Sequence, residues 1–351
     1  MNPIKNDQLS TTHTTPPHII KHLALSGGGT IFFIQFGILK KALETRFWQM
    51  ENIQTMYGTS AGSLQIALCG FCKLLGWEIV EKFIAERPLR TIFKPEMTDV
   101  FSIFFNKGIL SLSHVVELFK PLLYAIDASE NITLFEFYEM TKIEMHFITT
   151  DFNQFRKIDC SYKTHPHWKL VDTVYCSSSL PVLFQPIQIE NTTFIDGFLF
   201  EDFPLKSCID NGAHPDEIFG IGSRDTISRY SPFIPQNNLI DYLMILMDRV
   251  FLSHNPPVPF VKHCVFVHSS YAEPNMLYSF WLSAMSKQER IRLLRLGEKI
   301  WKYYCLKGEC LAQIKQHSPQ PLEIQSQLET ETQDTQTSSQ CFSIGEYPIG
   351  Y

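Results

Sequence analysis

The sequence carries no surplus of positive charge. Its 30 Lys and Arg stand against 36 Asp and Glu, a formal net charge of −6. Nucleic-acid binding needs a basic footprint, so that class is excluded. No run of 18 or more apolar residues is free of a charge or Pro, so no transmembrane helix is expected and any membrane contact should be peripheral. Residues 1–18 are polar and rich in Thr and Pro, with no apolar stretch of the kind a secretory leader needs. The expected location is therefore cytoplasmic, with room for contact at a membrane surface. The nine cysteines are scattered and read as free thiols of a reducing compartment, not as a disulfide framework. There is no internal repeat.

What is present is apolar and aromatic. Of 351 residues 44% are hydrophobic, among them 28 Phe, 13 Tyr and 5 Trp, enough for one large domain or two small ones. Residues 1–20 read as a disordered tail. A short strand at 22–26 leads into Gly27-Gly28-Gly29 and then an apolar helix from Thr30 to Phe47, hydrophobic nearly all round and hence buried. A second strand at 53–57 leads into Gly58-Thr59-Ser60-Ala61-Gly62 and a helical segment at 64–75. Repeated strand–helix units predict a parallel sheet covered by helices. Further strands are expected at 145–150, 217–222 and 261–268, and a hairpin around Asn191. Residues 101–126 read as covering helices or, alternatively, as an amphipathic surface that meets lipid. Residues 288–305 form a basic amphipathic helix carrying Arg290, Arg292, Arg295, Lys299 and Lys302, read as a solvated face or a lipid-headgroup contact. The Gln-, Thr- and Ser-rich stretch 316–351 reads as a second disordered tail. The expected organisation is thus a catalytic core over 21–210, completed by strands and helices over 211–315.

The pentapeptide at 58–62 has the strand–turn–helix context of a nucleophile elbow. Ser60 would stand on a tight turn at a helix N-terminus, with Gly58 and Gly62 letting strand and helix pass closely. A serine nucleophile needs a base and an oxyanion hole. The Gly27-Gly28-Gly29 amides, between a strand and a helix, are candidates for the hole. A phosphate cradle is the weaker reading of the same glycines, because the chain has no Gly-Lys-Ser/Thr ending and no full Gly-x-Gly-x-x-Gly. For the base, two arrangements are open. Asp196, at a strand end before Gly197, could accept the Ser60 proton directly. Alternatively, a triad could use Asp196 with His214, His254, His263 or His268, none of which the spacing favours.

Taken together, Leu25-Ser26-Gly27-Gly28-Gly29 with Gly37-Ile38-Leu39, the pentapeptide around Ser60, Ser177-Ser178-Ser179-Leu180-Pro181 with Phe184 and Pro186, and Asp196-Gly197 resemble the patatin-like phospholipase family over residues 21–225. The resemblance implies a three-layer α/β/α sandwich with a mainly parallel central sheet. It also implies a Ser60–Asp196 dyad with an oxyanion loop at Gly27, Gly28 and Gly29. The activity implied is hydrolysis of lipid acyl esters through an acyl-serine, without metal or cofactor. Three positions depart from the family pattern. Ile31-Phe32 stand where Arg-Gly is common, Phe198 where a small residue is usual, and Asp202 where an Asn-like residue is usual. Ile31 and Phe198 favour the alternative, a lipid-binding or scaffold protein that kept the fold without catalysis.

Overall fold

The computed structural model describes residues 19–93, 104–224, 239–268 and 276–314. The tail expected over 1–20 lies outside these residues except for 19 and 20, and the one over 316–351 lies outside altogether. The chain divides into two units, 1–304 and 305–351. The sheet and the candidate site belong to the first.

The first strand, β1 (His22–Leu25), is fully buried, and α1 (Ile31–Glu44) follows it. The next unit is β2 (Thr55–Thr59) and α2 (Ala61–Leu75), followed by α3 (Trp77–Glu86). β1 and β2 pair in parallel, Leu25 opposite Gly58. After a short strand β3 (Gly108–Leu110) and helices α4 (Leu112–Ala125) and α5 (Leu134–Thr141), β4 (Glu144–Asp151) joins β2 in parallel. β5 (Arg156–Cys160) returns antiparallel to β4. Helix α6 (Leu170–Ser178) leads to β6 (Val182–Phe184), which pairs with β3, and then to the hairpin β7 (Ile187–Ile189) and β8 (Thr192–Asp196). The short helices α7 (Phe198–Glu201) and α8 (Leu205–Asp210) precede β9 (Ile218–Arg224). Helix α9 (Leu239–His254), β10 (His263–His268), α10 (Met276–Met285) and α11 (Lys287–Ile314) complete the described chain. The main sheet runs β10-β9-β1-β2-β4-β8-β7, parallel from β10 to β4 and antiparallel beyond. This is the mainly parallel sheet expected. β2 ends two residues later than its composition suggests, because pairing with β1 carries it to Gly58 and pairing with β4 to Thr59.

One junction in this sheet positions the site. β4 pairs with β2 through Ile148 and with β8 from Thr149 onward, while β5 occupies its other edge. β8 therefore lies in line with β2 and runs toward it. The two strands end face to face, Thr59 opposite Ile148 and Asp196 opposite Thr149. Segments distant in the chain thus meet end to end at one edge of the sheet.

Alternation of side chains along the strands builds the two outer layers. Ala24 and Tyr57 face a cluster with Leu205, Cys208, Ala213 and Val261. On the other face, Phe47 packs against Phe219 and Trp301, which places α11 over that layer. There α1 and α11 cross at contact distance. A Cβ on Gly37 would stand 2.1 Å from the Leu294 carbonyl oxygen, and one on Gly297 would stand 2.2 Å from that of Ile34. α11 is less solvated than its charge suggests. Arg290 is buried and donates to the carbonyls of Ala85, Ser283, Ala284 and Arg87, so it ties helices together and faces neither water nor lipid. Cys69 and Cys72, a Cys-x-x-Cys pair on α2, are both free and buried, and burial pushes both thiols upward from their ordinary range. Among the described residues no helix is long and apolar enough to cross a membrane.

Candidate active site

Ser60 stands between β2 and α2 with φ 53° and ψ −120°, a conformation that costs a non-glycine residue about 1–3 kcal/mol. The neighbouring glycines make the turn possible. A Cβ on Gly58 would lie 2.4 Å from the Gly62 carbonyl oxygen, and one on Gly62 would lie 2.1 Å from that of Leu25. Both of the glycines expected at the elbow are therefore required by backbone contact. The hydroxyl of Ser60 donates to Asp196 Oδ2 at 2.6 Å.

Asp196 is completely buried at the end of β8. Its second oxygen accepts the Phe198 N–H at 2.9 Å, and its backbone is fixed by Ser179 O and the Thr150 hydroxyl. Burial pushes its carboxyl up to about 7, against the pull of the Ser60 and Phe198 hydrogen bonds, and the Asp202 charge adds to the rise. Such a carboxyl is about half ionised at neutral pH and accepts a proton readily, which suits a general base. His214, His254, His263 and His268 all lie outside the lining of the cavity described below.

The glycine run needs one correction. The Gly27 N–H donates to the Asp202 carbonyl at 3.1 Å, so it is not available to an oxyanion. Gly27 matters through its missing side chain instead, since a Cβ there would lie 2.4 Å from Asp202 Oδ1 and 3.1 Å from Ser60 Cβ. Gly28 and Gly29 take φ 131° and 57°, and among the described residues their N–H groups donate to no other residue. Both line the cavity beside Ser60.

Several residues support the site; Ser177 belongs to the serine–proline stretch 177–181, though that motif does not disclose its contacts, while Gln35 and Asn255 belong to no motif. Ser177 accepts the Ser60 N–H at 3.1 Å, shares a hydrogen bond with Ser63 and donates to Ile148 O, joining α6, β4 and the elbow. Gln35 is buried in α1 and donates to Ser26 O at 3.0 Å, bracing the start of the glycine run. Its signal was a lone amide in the apolar first half of α1. Asn255 accepts the Asp202 N–H and donates to the Phe198 carbonyl, each at 2.8 Å, and so fixes the turn after Asp196. Of the departures, Phe198 contributes its N–H to Asp196, and Ile31 is buried at the start of α1. Neither intervenes between Ser60 and Asp196.

These groups open onto a cavity of about 270 Å³. Beyond Ser60, Asp196, Gly28 and Gly29, its walls are mainly apolar, with Leu64, Leu68, Phe119, Leu122 and Phe280 among them. Each methylene placed against such walls contributes about 0.8 kcal/mol. Among the described residues no group of three or more His, Cys, Asp or Glu could hold a metal ion.

A family profile described as "Patatin-like phospholipase" matches residues 23–209, just over half of the chain. Among curated proteins, a "probable lipid hydrolase" of Invertebrate iridescent virus 6 is 24% identical over 195 residues, 55% of this chain and 64% of the relative. The chain thus spans a little under two thirds of that relative's length. An uncharacterized protein of Acanthamoeba polyphaga mimivirus is 25% identical over 67% of this chain and 78% of its own length. Among solved structures, VipD from Legionella pneumophila matches at 13% identity over 80% of this chain and 67% of its own, TM-score 0.38. ExoU from Pseudomonas aeruginosa, solved in complex with SpcU, matches at 11% identity over 82% and 53%, TM-score 0.39.

Proposed function

The chain belongs to the patatin-like phospholipase family, and from that premise we propose that it cleaves carboxylic esters of lipids with a Ser60–Asp196 dyad. The observation that carries this reading is the 2.6 Å hydrogen bond from the Ser60 hydroxyl to a buried carboxylate at the mouth of an apolar cavity. Asp196 takes the hydroxyl proton as the Ser60 oxygen attacks the acyl carbonyl. The N–H groups of Gly28 and Gly29 receive the oxyanion, an interaction worth about 3–4 kcal/mol per donor in the transition state. The apolar walls hold the acyl chain. Asp196 then returns its proton to the leaving alcohol, which departs and leaves an acyl-serine. A water, deprotonated by the same carboxylate, releases the fatty acid and restores Ser60. The substrate class is a phospholipid, lysolipid or glyceride.

The test is hydrolysis of a long-chain acyl ester by the wild type, Ser60→Ala and Asp196→Asn. Both variants should lose at least about a thousandfold in kcat/KM while remaining folded. Activity that survives both substitutions would reject the dyad. Loss with a histidine substitution alone would move the chemistry to a triad.

A further inference from the structure

The aromatic residues at the catalytic edge of the sheet are not all buried. The turn at 152–155 follows β4 at the same edge as Ser60 and Asp196. It exposes Phe152 to 56% and Phe155 to 42%. The turn is firmly held. Phe152 N–H donates to Thr193 O, Gln154 N–H donates to Asp151 Oδ1, and Asn153 Oδ1 accepts the Thr193 N–H. Phe155 itself takes φ 48°, a conformation that an aromatic residue adopts only when its surroundings impose it. Its ring meets Phe200 at 5.1 Å and His254 at 5.7 Å.

Two elements carry residues of both this cluster and the cavity wall. Phe200 lies one half-turn after Phe198, which lines the cavity. His254 ends α9, where Met247 lines the cavity while Tyr242 and Leu246 are 48% and 46% exposed. Arg156 follows Phe155 and donates through Nε to Asp151 Oδ2 at 3.2 Å, with its side chain still 59% exposed, and exposed Arg249 stands on α9 one turn from Leu246. An exposed apolar surface interleaved with arginines, borne on elements that also line an apolar cavity, matches a layer of acyl chains under charged headgroups.

We infer that the 152–155 turn, with Phe200 and the exposed side of α9, is the surface by which the protein docks on a lipid layer. Phe152, Phe155 and Leu246 enter the acyl region, and the exposed end of Arg156 meets the headgroups. Docked in this way, the protein lets a lipid ester pass into the cavity without crossing water. The choice of a lipid layer as occupant rests on the proposed lipid-ester chemistry. The binding itself can be measured apart from catalysis.

The experiment is flotation of the full chain with vesicles of phosphatidylcholine containing phosphatidylserine. The wild type and Ser60→Ala should float alike, which separates docking from the nucleophile. The double variant Phe152→Ser with Phe155→Ser should lose about tenfold or more in partitioning, yet still hydrolyse a soluble short-chain ester. Phe260, 89% exposed just before β10 at the opposite edge, serves as control. Phe260→Ser should change partitioning by less than about twofold. If the double variant loses soluble-ester hydrolysis, Leu246→Ser replaces it, with a clear loss of partitioning expected. A wild type that stays with the unbound fraction, patch variants that partition as the wild type, or a control that falls equally overturns the inference.

Discussion

Asp196→Asn should stabilise the fold, and by more as the pH rises. The carboxyl is fully buried, and its pKa moves from 3.8 to about 7 in the folded chain. Between those values the folded state holds a proton that the unfolded state has released. Stability of the wild type therefore falls as pH rises from about 4, and levels off above about 7. A rise of that size corresponds to about 4 kcal/mol in full, of which about 2–3 kcal/mol accrues between pH 5 and pH 8. Asn does not titrate, so the variant escapes this loss. The hydrogen bonds of Asn do not change with pH, and those that favour ionised Asp are already contained in its pKa, so neither adds to the difference. The assay is urea unfolding of both proteins at pH 5 and pH 8, followed by tryptophan fluorescence. The advantage of the variant should grow by about 2–3 kcal/mol between the two. An advantage that is equal at both, or larger at pH 5, would show that burial does not raise the Asp196 carboxyl.

The same titration sets the rate. On a neutral ester kcat/KM should fall about tenfold per pH unit below about pH 7, because the base must be ionised; a flat profile from pH 5 to 8 would exclude Asp196 as base. Gly62→Ala should unfold the protein at much lower temperature, by about 3 kcal/mol or more in urea titrations, since its Cβ would stand 2.1 Å from the Leu25 carbonyl oxygen; wild-type stability would mean that the elbow can yield there. Gln35→Leu removes the 3.0 Å hydrogen bond to Ser26 O and should lower kcat about tenfold with little change in KM. An unchanged kcat would show that the glycine loop holds its place without Gln35.

The sheet was legible because its strands are short apolar runs set between glycine turns, as at 22–25 and 55–59. The site was legible because its chemistry requires residues with few substitutes. Only glycine fits at 58 and 62, where backbone meets backbone, and the structure brings the hydroxyl at 60 and the carboxyl at 196 within 2.6 Å. What sequence did not disclose depends on long-range geometry. The end-to-end meeting of β2 and β8 follows from how β4 shares one edge between them, which no local pattern records. The Gly27 amide looked equivalent to its neighbours until Asp202, far along the chain, proved to accept from it. Arg290 looked like one more surface charge on a basic helix, because nothing in α11 reveals that four carbonyls converge on it. Ser177 and Asn255 act through hydrogen bonds to the elbow and to the turn at 198–202, segments distant from them in the chain, and such contacts appear only once the chain is folded.

The central claim concerns one oxygen atom, the Ser60 Oγ. A long-chain fluorophosphonate reacts with an activated serine and leaves a covalent phosphonyl group that mass spectrometry of the digested protein can place. One adduct is expected, on the peptide carrying Ser60, formed in step with the loss of ester hydrolysis and much slower in Asp196→Asn. An adduct on another residue, or full inactivation with Ser60 unmodified, would contradict that claim.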